Sequence, residues 1–238
     1  MAPSDPRKEI RRKVAEGDMT WLLGKAGELH GHFCPFVALG VKAAVLAHER
    51  LGSSTEGIDE DLLAIVEVNN CFSDGVQLVT GCTFGNNALI YRDLGKNALT
   101  LARRDGRGVR VSIRPDYPRS MSASIPGSES LFERFIVRRE KGTPQEMEHF
   151  KEVWEELSFL QIEAPAEKQF HIEDVQVSLP ERSPILPSVI CSRCGESVME
   201  SHARLQEGKP VCLDCLGESY FLLQGRGIAV AGMTASPH

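Results

Sequence analysis

Leu62-Leu63-Ala64-Ile65-Val66-Glu67-Val68-Asn69 is a mostly apolar, partly β-branched run. Such a run suits a strand inside a covered sheet rather than one with a wet face. Upstream lies Pro35-Phe36-Val37-Ala38-Leu39-Gly40-Val41, continuing to Leu51, with Val37, Leu39, Val41, Ala44, Val45 and Ala47 spread around most of a helical circumference. The spacing predicts a buried helix over 35–51. Proline at its first position loses no intrahelical bond and presets φ, and Gly52 stops it. A long buried helix next to a covered strand decides the fold class as α+β.

Other elements fall around this pair. Arg7 to about Lys25 predicts a helix ending near Gly27, followed by a short loop at His30-Gly31-His32-Phe33-Cys34-Pro35. The strand delivers the chain to Asn70 and Cys71. A short helix is expected from Ser73 and Asp74, good N-cap types, to Gly81, just before Cys82. Ala98–Arg103 and Val109–Ile113 alternate as paired strands around Asp105-Gly106-Arg107-Gly108, a hairpin signal. Two charged helical stretches between Ser128 and Phe159 meet at Gly142-Thr143-Pro144. The expected organisation is an α+β core over 1–160 and an extended connector over 161–187 with one strand, Phe170 to Val177. A zinc domain over 188–222 and a weakly patterned tail over 223–238, disordered at its last few residues, complete it.

The chain has 238 residues, a formal net charge of −6 and 42% hydrophobic residues. That balance disfavours nonspecific binding to nucleic acid or to an anionic membrane. No apolar run is long enough for a transmembrane helix. The charged N-terminus lacks an apolar signal core, so a cytoplasmic, reducing compartment is expected. There cysteines serve as metal ligands or reactive thiols more often than as disulfides.

Four of the seven cysteines form Cys191-x2-Cys194 and Cys212-x2-Cys215, 17 residues apart. Two intervening residues let one tight turn aim both sulfurs at one ion, and a second pair completes the tetrahedron zinc prefers. His202 lies inside the loop as a substitute ligand, but four cysteines already fill the site. A closed four-thiolate site is structural and says little about chemistry. The arginines and lysine around it are offset by acids, which favours protein contact over DNA binding.

The other cysteines are Cys34, Cys71 and Cys82. His30, His32 and Cys34 alternate, which on extended backbone places all three on one side. Imidazole and thiolate both suit a borderline metal. Cys34 also precedes a helix start, whose partial positive charge favours thiolate, making it a candidate nucleophile as well as a ligand. Cys71 and Cys82 fall at element ends where chains converge. Taken singly, each reads more readily as a small buried apolar residue than as a site residue. No phosphate-binding glycine loop is present, and too few cysteines remain for an iron–sulfur cluster.

The blocks His30-Gly31-His32-Phe33-Cys34-Pro35, Asn70-Cys71-x2-Asp74-x2-Gln77-x2-Thr80-Gly81-Cys82-Thr83-x-Gly85 and Asp93-x-Gly95-Lys96 resemble the E-subunit family of formylmethanofuran dehydrogenase. Members often carry a C-terminal zinc domain opening like Cys191-Ser192-Arg193-Cys194-Gly195-Glu196. The resemblance spans roughly residues 20 to 220. It implies a cleft lined by the His-x-His-x-Cys loop and the Thr-Gly-Cys-Thr turn, and a homodimer. It assigns His30, His32, Cys34, Cys71, Asp74, Gln77 and Cys82 to that cleft, as a second metal or cofactor site beside the structural zinc. Phe36 departs from the family's glycine and is expected to narrow the space beside Cys34. Three functions follow: a metal-binding accessory protein with molybdenum or tungsten enzyme subunits as partners, an enzyme using Cys34 or a cleft metal, or a ligand-sensing regulator whose zinc module binds nucleic acid.

Overall fold

The computed structural model describes residues 5–52 and 61–232. The chain divides into two compact units, 1–180 and 181–238. In the first, helices α1 (Lys8–Glu16), α2 (Met19–His30), α3 (Pro35–Leu51) and α4 (Cys71–Thr80) accompany strands β1 (Leu62–Val66), β2 (Leu89–Tyr91), β3 (Ala98–Arg103) and β4 (Arg107–Ile113). Short helices α5 (Tyr117–Ser122) and α6 (Ser128–Phe132) follow, then a π-helical turn Glu133–Val137. The unit closes with the long α7 (Pro144–Glu163), α8 (Ala166–Gln169) and β5 (Phe170–Gln176). The α+β class stands.

The five strands form one sheet in the order β2-β1-β3-β4-β5. Only β1 and β2 run parallel; the remaining pairs are antiparallel. β1 is buried along its whole length. Its pairing stops at Val66, three residues short of the expected end, and the next residues turn the chain toward α4. The strand expected in the connector forms as β5 and pairs with β4 from Phe170 to Gln176. Residues 170–176 therefore complete the sheet rather than cross open space. Just past β1, the nearly buried Glu67 carboxylate accepts two bonds from Arg110 of β4, at 2.8 and 2.9 Å. That pairing holds its pKa below the usual carboxylate value against the opposing effect of burial.

α3 is the axis of the core. Twelve of its seventeen residues are buried, many of them glycine or alanine, which lets neighbours approach from several sides. The closest approach is to α4. A Cβ on Gly40 would lie 2.0 Å from the Phe72 carbonyl oxygen, and one on Gly75 would lie 2.4 Å from that of Val37. No side chain fits at either position, so the crossing depends on both glycines. α7 is tied to α3 by Lys42, a buried lysine whose Nζ donates to the Gln161 and Ile162 carbonyls at 3.1 and 3.0 Å and to that of Ala164. These carbonyls end α7 and have no helical partner. Tyr117 Oη donates to Gln161 Oε1 at 2.7 Å and accepts from Gln169 Nε2 at 2.9 Å, which pins α5 and α8 to the same end.

Three local expectations are corrected. The first helix breaks at Gly17 (φ 67°), and Asp18 caps a new helix by accepting from the Trp21 amide at 3.1 Å. That helix passes through Gly24 and Gly27 to His30, so His30 ends a helix and is not on extended backbone. α4 begins at Cys71 rather than near Ser73, because Asn70 accepts from the Phe72 amide at 3.0 Å. Ser73 instead donates to the Val68 carbonyl at 2.6 Å. The break at Gly142-Thr143-Pro144 is as expected, and Thr143 and Glu146 form a reciprocal capping box there.

The second unit is built of small hairpins: β6 (Ser188–Ile190) with β7 (Ser197–Met199), and β8 (Ala203–Gln206) with β9 (Lys209–Cys212). A one-turn helix α9 (Leu213–Leu216) follows. The tail, expected to be weakly patterned, forms a hairpin of β10 (Tyr220–Gln224) and β11 (Gly227–Ala231). The expected terminal disorder falls on 233–238, outside the described residues. No helix among the described residues is long and apolar enough to cross a membrane.

Candidate metal centres

In the second unit the four cysteine sulfurs converge. The ligand atoms of Cys191, Cys194, Cys212 and Cys215 all lie within 4.8 Å of one another, and Cys194 Sγ is 4.0 Å from Cys212 Sγ. Gly195 (φ 79°) closes the first turn, donating its amide to the Cys191 carbonyl at 3.0 Å. Cys212 ends β9 and accepts on its sulfur from the Cys215 amide at 3.4 Å. Cys191 Sγ accepts from the Cys212 amide at 3.4 Å. Amide donors, first Cys194 and then Cys212, hold the Cys191 thiol at about 6, below the ordinary thiol range. His202 pairs with Ser201 Oγ at 2.9 Å and stays outside this cluster.

The first unit holds a second cluster. His30 ends α2, Gly31 turns the chain in the left-handed region (φ 92°), and Cys34 sits on extended backbone as the N-cap of α3. The turn at Gly31, rather than strand alternation, brings the donors of His30, His32 and Cys34 within 4.8 Å of one another. The two imidazole centroids are 4.5 Å apart. His30 Nδ1 lies 2.7 Å from Asp74 Oδ2, and Gln77 Nε2 donates to Asp74 Oδ1 at 3.2 Å. Such a carboxylate fixes the imidazole tautomer, with Nδ1 protonated and Nε2 left as an acceptor. Among the described residues His30 Nε2 is buried and finds no hydrogen-bond partner. An unmatched buried acceptor is costly, and a cation at Nε2 would satisfy it. Partial enclosure of its ring, and then the nearby His30, hold the His32 pKa below its usual value, which favours the neutral form a metal ligand needs.

Cys71 joins this group from the first turn of α4. Its thiol and that of Cys34 share a hydrogen bond. The bond from Cys34 holds Cys71 below the ordinary thiol range, whereas sharing that proton, and then burial, push Cys34 above it. One thiolate is therefore favoured between the two sulfurs. The Gly40 and Gly75 crossing sets the helix starts that carry them at this distance. With two histidines, one of them presenting the orphaned Nε2, and the Cys34 sulfur, the three-donor set fits a zinc-type ion that keeps one coordination position open.

Cys82 is not part of this centre. It follows the C-terminal end of α4, roughly 15 Å along the helix from Cys71 at 1.5 Å per residue, and is fully buried with Sγ 3.5 Å from the Leu62 carbonyl. The turn around it is a folding device: Asn86 accepts from the Thr83 amide at 2.8 Å and donates to the Gly81 carbonyl at 2.6 Å. The Thr-Gly-Cys-Thr turn thus braces the start of β1, and the cavity beside Cys34 does not include it.

That cavity has a volume of about 380 Å³ and opens beside His32, Cys34 and Cys71. Phe36 lines it, as its position at the first turn of α3 implies, together with Met121, Phe132, Ile136, Trp154 and Leu157. None of the last five is legible as a site residue from the sequence. Phe132 and Ile136, and Trp154 and Leu157, are apolar pairs at helical spacing, which marks a shared face but not what that face encloses.

An α+β core with a His/Cys cluster, joined to a four-cysteine module, defines a protein of the formylmethanofuran dehydrogenase E-subunit class. The chain belongs to the FmdE family, described as "Molybdenum formylmethanofuran dehydrogenase operon", which it matches over residues 29–171. Residues 184–221 match the prokaryotic dksA/traR C4-type zinc finger. A tungsten formylmethanofuran dehydrogenase FmdE-like protein from Syntrophus aciditrophicus has a similar structure, with a TM-score of 0.52 and 25% identity. The match covers 84% of this chain and 92% of that one. A probable S-adenosyl-L-methionine-binding protein from Archaeoglobus fulgidus is 46% identical over 217 residues. That match covers 90% of this chain but 57% of the relative's length, and its name belongs to the longer protein.

Proposed function

We propose that the first unit is a metal-binding accessory module working alongside a molybdenum or tungsten oxidoreductase of the formylmethanofuran dehydrogenase type. His30, His32 and Cys34 hold one ion, Cys71 stands beside it, and Asp74 orients His30. The observation that carries this reading is the buried, partnerless His30 Nε2 inside a converged His/His/Cys donor set. When bound, such an ion supplies a Lewis-acidic centre with a position for an incoming ligand. Asp74 and Gln77 fix the donor, and the walls of the cavity keep water from the open side. The zinc module is the docking or dimerisation element in this reading. Its terminal hairpin supports that role, since Phe221 is 81% and Val230 64% exposed. A second reading, an enzyme in its own right, is favoured by the same open position and by the adjoining cavity.

Asp74→Asn tests the reading at low structural cost, because the Asp74 side chain is 36% exposed. The amide keeps the shape but no longer fixes the protonated Nδ1. Affinity of the core ion is expected to fall roughly 10- to 100-fold, measured by competition with a chelating dye, while the zinc module keeps its ion. Unchanged core affinity would argue that His30 is not a ligand.

A further inference from the structure

We infer that the cavity beside the core cluster binds a small uncharged apolar molecule, an aromatic ring or short hydrocarbon body carrying one terminal metal-ligating group such as a thiol. The ligating half of this inference rests on the metal reading above; the apolar half does not.

The polarity of the cavity is one-sided. His32, Cys34 and Cys71 supply the ligating atoms, whereas Phe36, Met121, Phe132, Ile136, Trp154 and Leu157 form most of the remaining wall. Among the described residues no lysine, arginine, aspartate or glutamate lines it. A phosphate, sulfonate or zwitterion held against the apolar wall, away from the cluster, would lose its hydration and gain no counter-charge there. The two serines on the wall are already committed: Ser128 Oγ donates to the Ser122 carbonyl at 2.7 Å, and Ser122 Oγ to that of Pro118 at 3.2 Å. The serine hydrogens are thus already used, and the metal-ligating atoms lie at the cluster, which fixes a ligand's orientation, head to the metal and body to the aromatics.

Size narrows the class. At about 380 Å³ the space is within the range of small-molecule sites. It is roughly two and a half times a cavity of ~150 Å³ that admits one benzene. Trp154 presents its ring to Phe132 in a stacked pair, 5.8 Å between centroids and 4° between planes. A flat ligand can extend such a stack at little cost. The wall is also partly open to solvent at one place. Phe132 and Ile136 belong to α6 and the π-helical turn, both partly exposed, at 42% and 45%. π-turns of this kind recur at functional sites.

The test uses the full chain loaded with zinc and three probes followed by titration calorimetry: 2-phenylethanethiol, ethylbenzene as the same body without a head, and S-adenosyl-L-methionine as a charged comparator. 2-Phenylethanethiol is expected to bind most tightly and ethylbenzene more weakly. Ile136→Asp, a half-exposed position where a charge can be accommodated by the fold, is expected to weaken both by about tenfold or more with metal content unchanged. Phe132→Ala provides a milder second variant, with a loss in the same direction. Equal affinities in wild type and both variants would overturn the inference, as would tighter binding of S-adenosyl-L-methionine than of the aryl thiol. If ethylbenzene binding is lost in the variants although wild type holds a single zinc, the apolar site stands and the metal reading falls.

Discussion

Gly40→Ala is expected to destabilise the first unit by about 3 kcal/mol or more, at the upper end of the usual cost of overpacking. The added Cβ would lie 2.0 Å from the Phe72 carbonyl oxygen and 2.9 Å from its carbonyl carbon. Backbone cannot swing aside as a flexible side chain would, so α3 and α4 must move apart. Cys34 caps the first of these helices and Cys71 opens the second. The same substitution should therefore separate the two sulfurs and weaken the core cluster as well as the fold. Gly24→Ala is the internal control. Gly24 lies inside α2 and a Cβ there meets nothing within 4 Å. Exchange to alanine removes backbone freedom from the unfolded chain and should stabilise by roughly 0.5–1 kcal/mol. Urea midpoints of the two variants should move in opposite directions. Similar shifts of the same sign would mean that the helix crossing is not set by its glycines.

Cys191→Ser is expected to unfold the zinc module and leave the first unit folded. Structural zinc binds finger peptides with roughly 10–16 kcal/mol at neutral pH. Small hairpins of three or four residues have no comparable apolar core to replace it. In this module only Cys191 and Val211 are buried hydrophobics among the described residues. Serine keeps the volume but not the thiolate that the Cys194 and Cys212 amides stabilise. Amide exchange should lose protection across 188–217, while β1, β3 and β4 remain protected. Protection retained in the module without zinc would show that its hairpins hold themselves.

The fold is legible where one local signal coincides with burial. Pro35 and Gly52 bound α3 on both sides, and the apolar run from Leu62 marks β1. The Asp105-Gly106 turn places the β3–β4 hairpin, and the paired cysteines supply the zinc module's ligands. The departures have local causes as well. Gly24 and Gly27 lower helix propensity, yet α2 continues through both because Leu22, Leu23 and Ala26 are fully buried and packing outweighs propensity. Phe33 closes over Gly27, with its ring 3.0 Å from where a Cβ would be. His30 does meet His32 and Cys34, but through a helix end and a glycine turn rather than through strand alternation.

Cys82 shares a sequence block with Cys71, which suggests a common cleft. The helix between them has its own length and carries the two sulfurs to opposite ends. The hydrogen bond between His30 and Asp74 spans 44 residues, and the cavity wall gathers α3, α5, α6, the π-turn and α7. Contacts of that kind depend on how elements pack, which spacing along the chain does not encode.

Metal content per chain tests the core centre most directly, measured by elemental analysis on folded wild type and on a His32→Ala, Cys34→Ala double variant. Wild type is expected to hold about two ions, one closed by four thiolates and one at the His/His/Cys set, and the variant about one. A single ion in both proteins would contradict the core metal centre and leave Cys34 and Cys71 as a thiol pair without one.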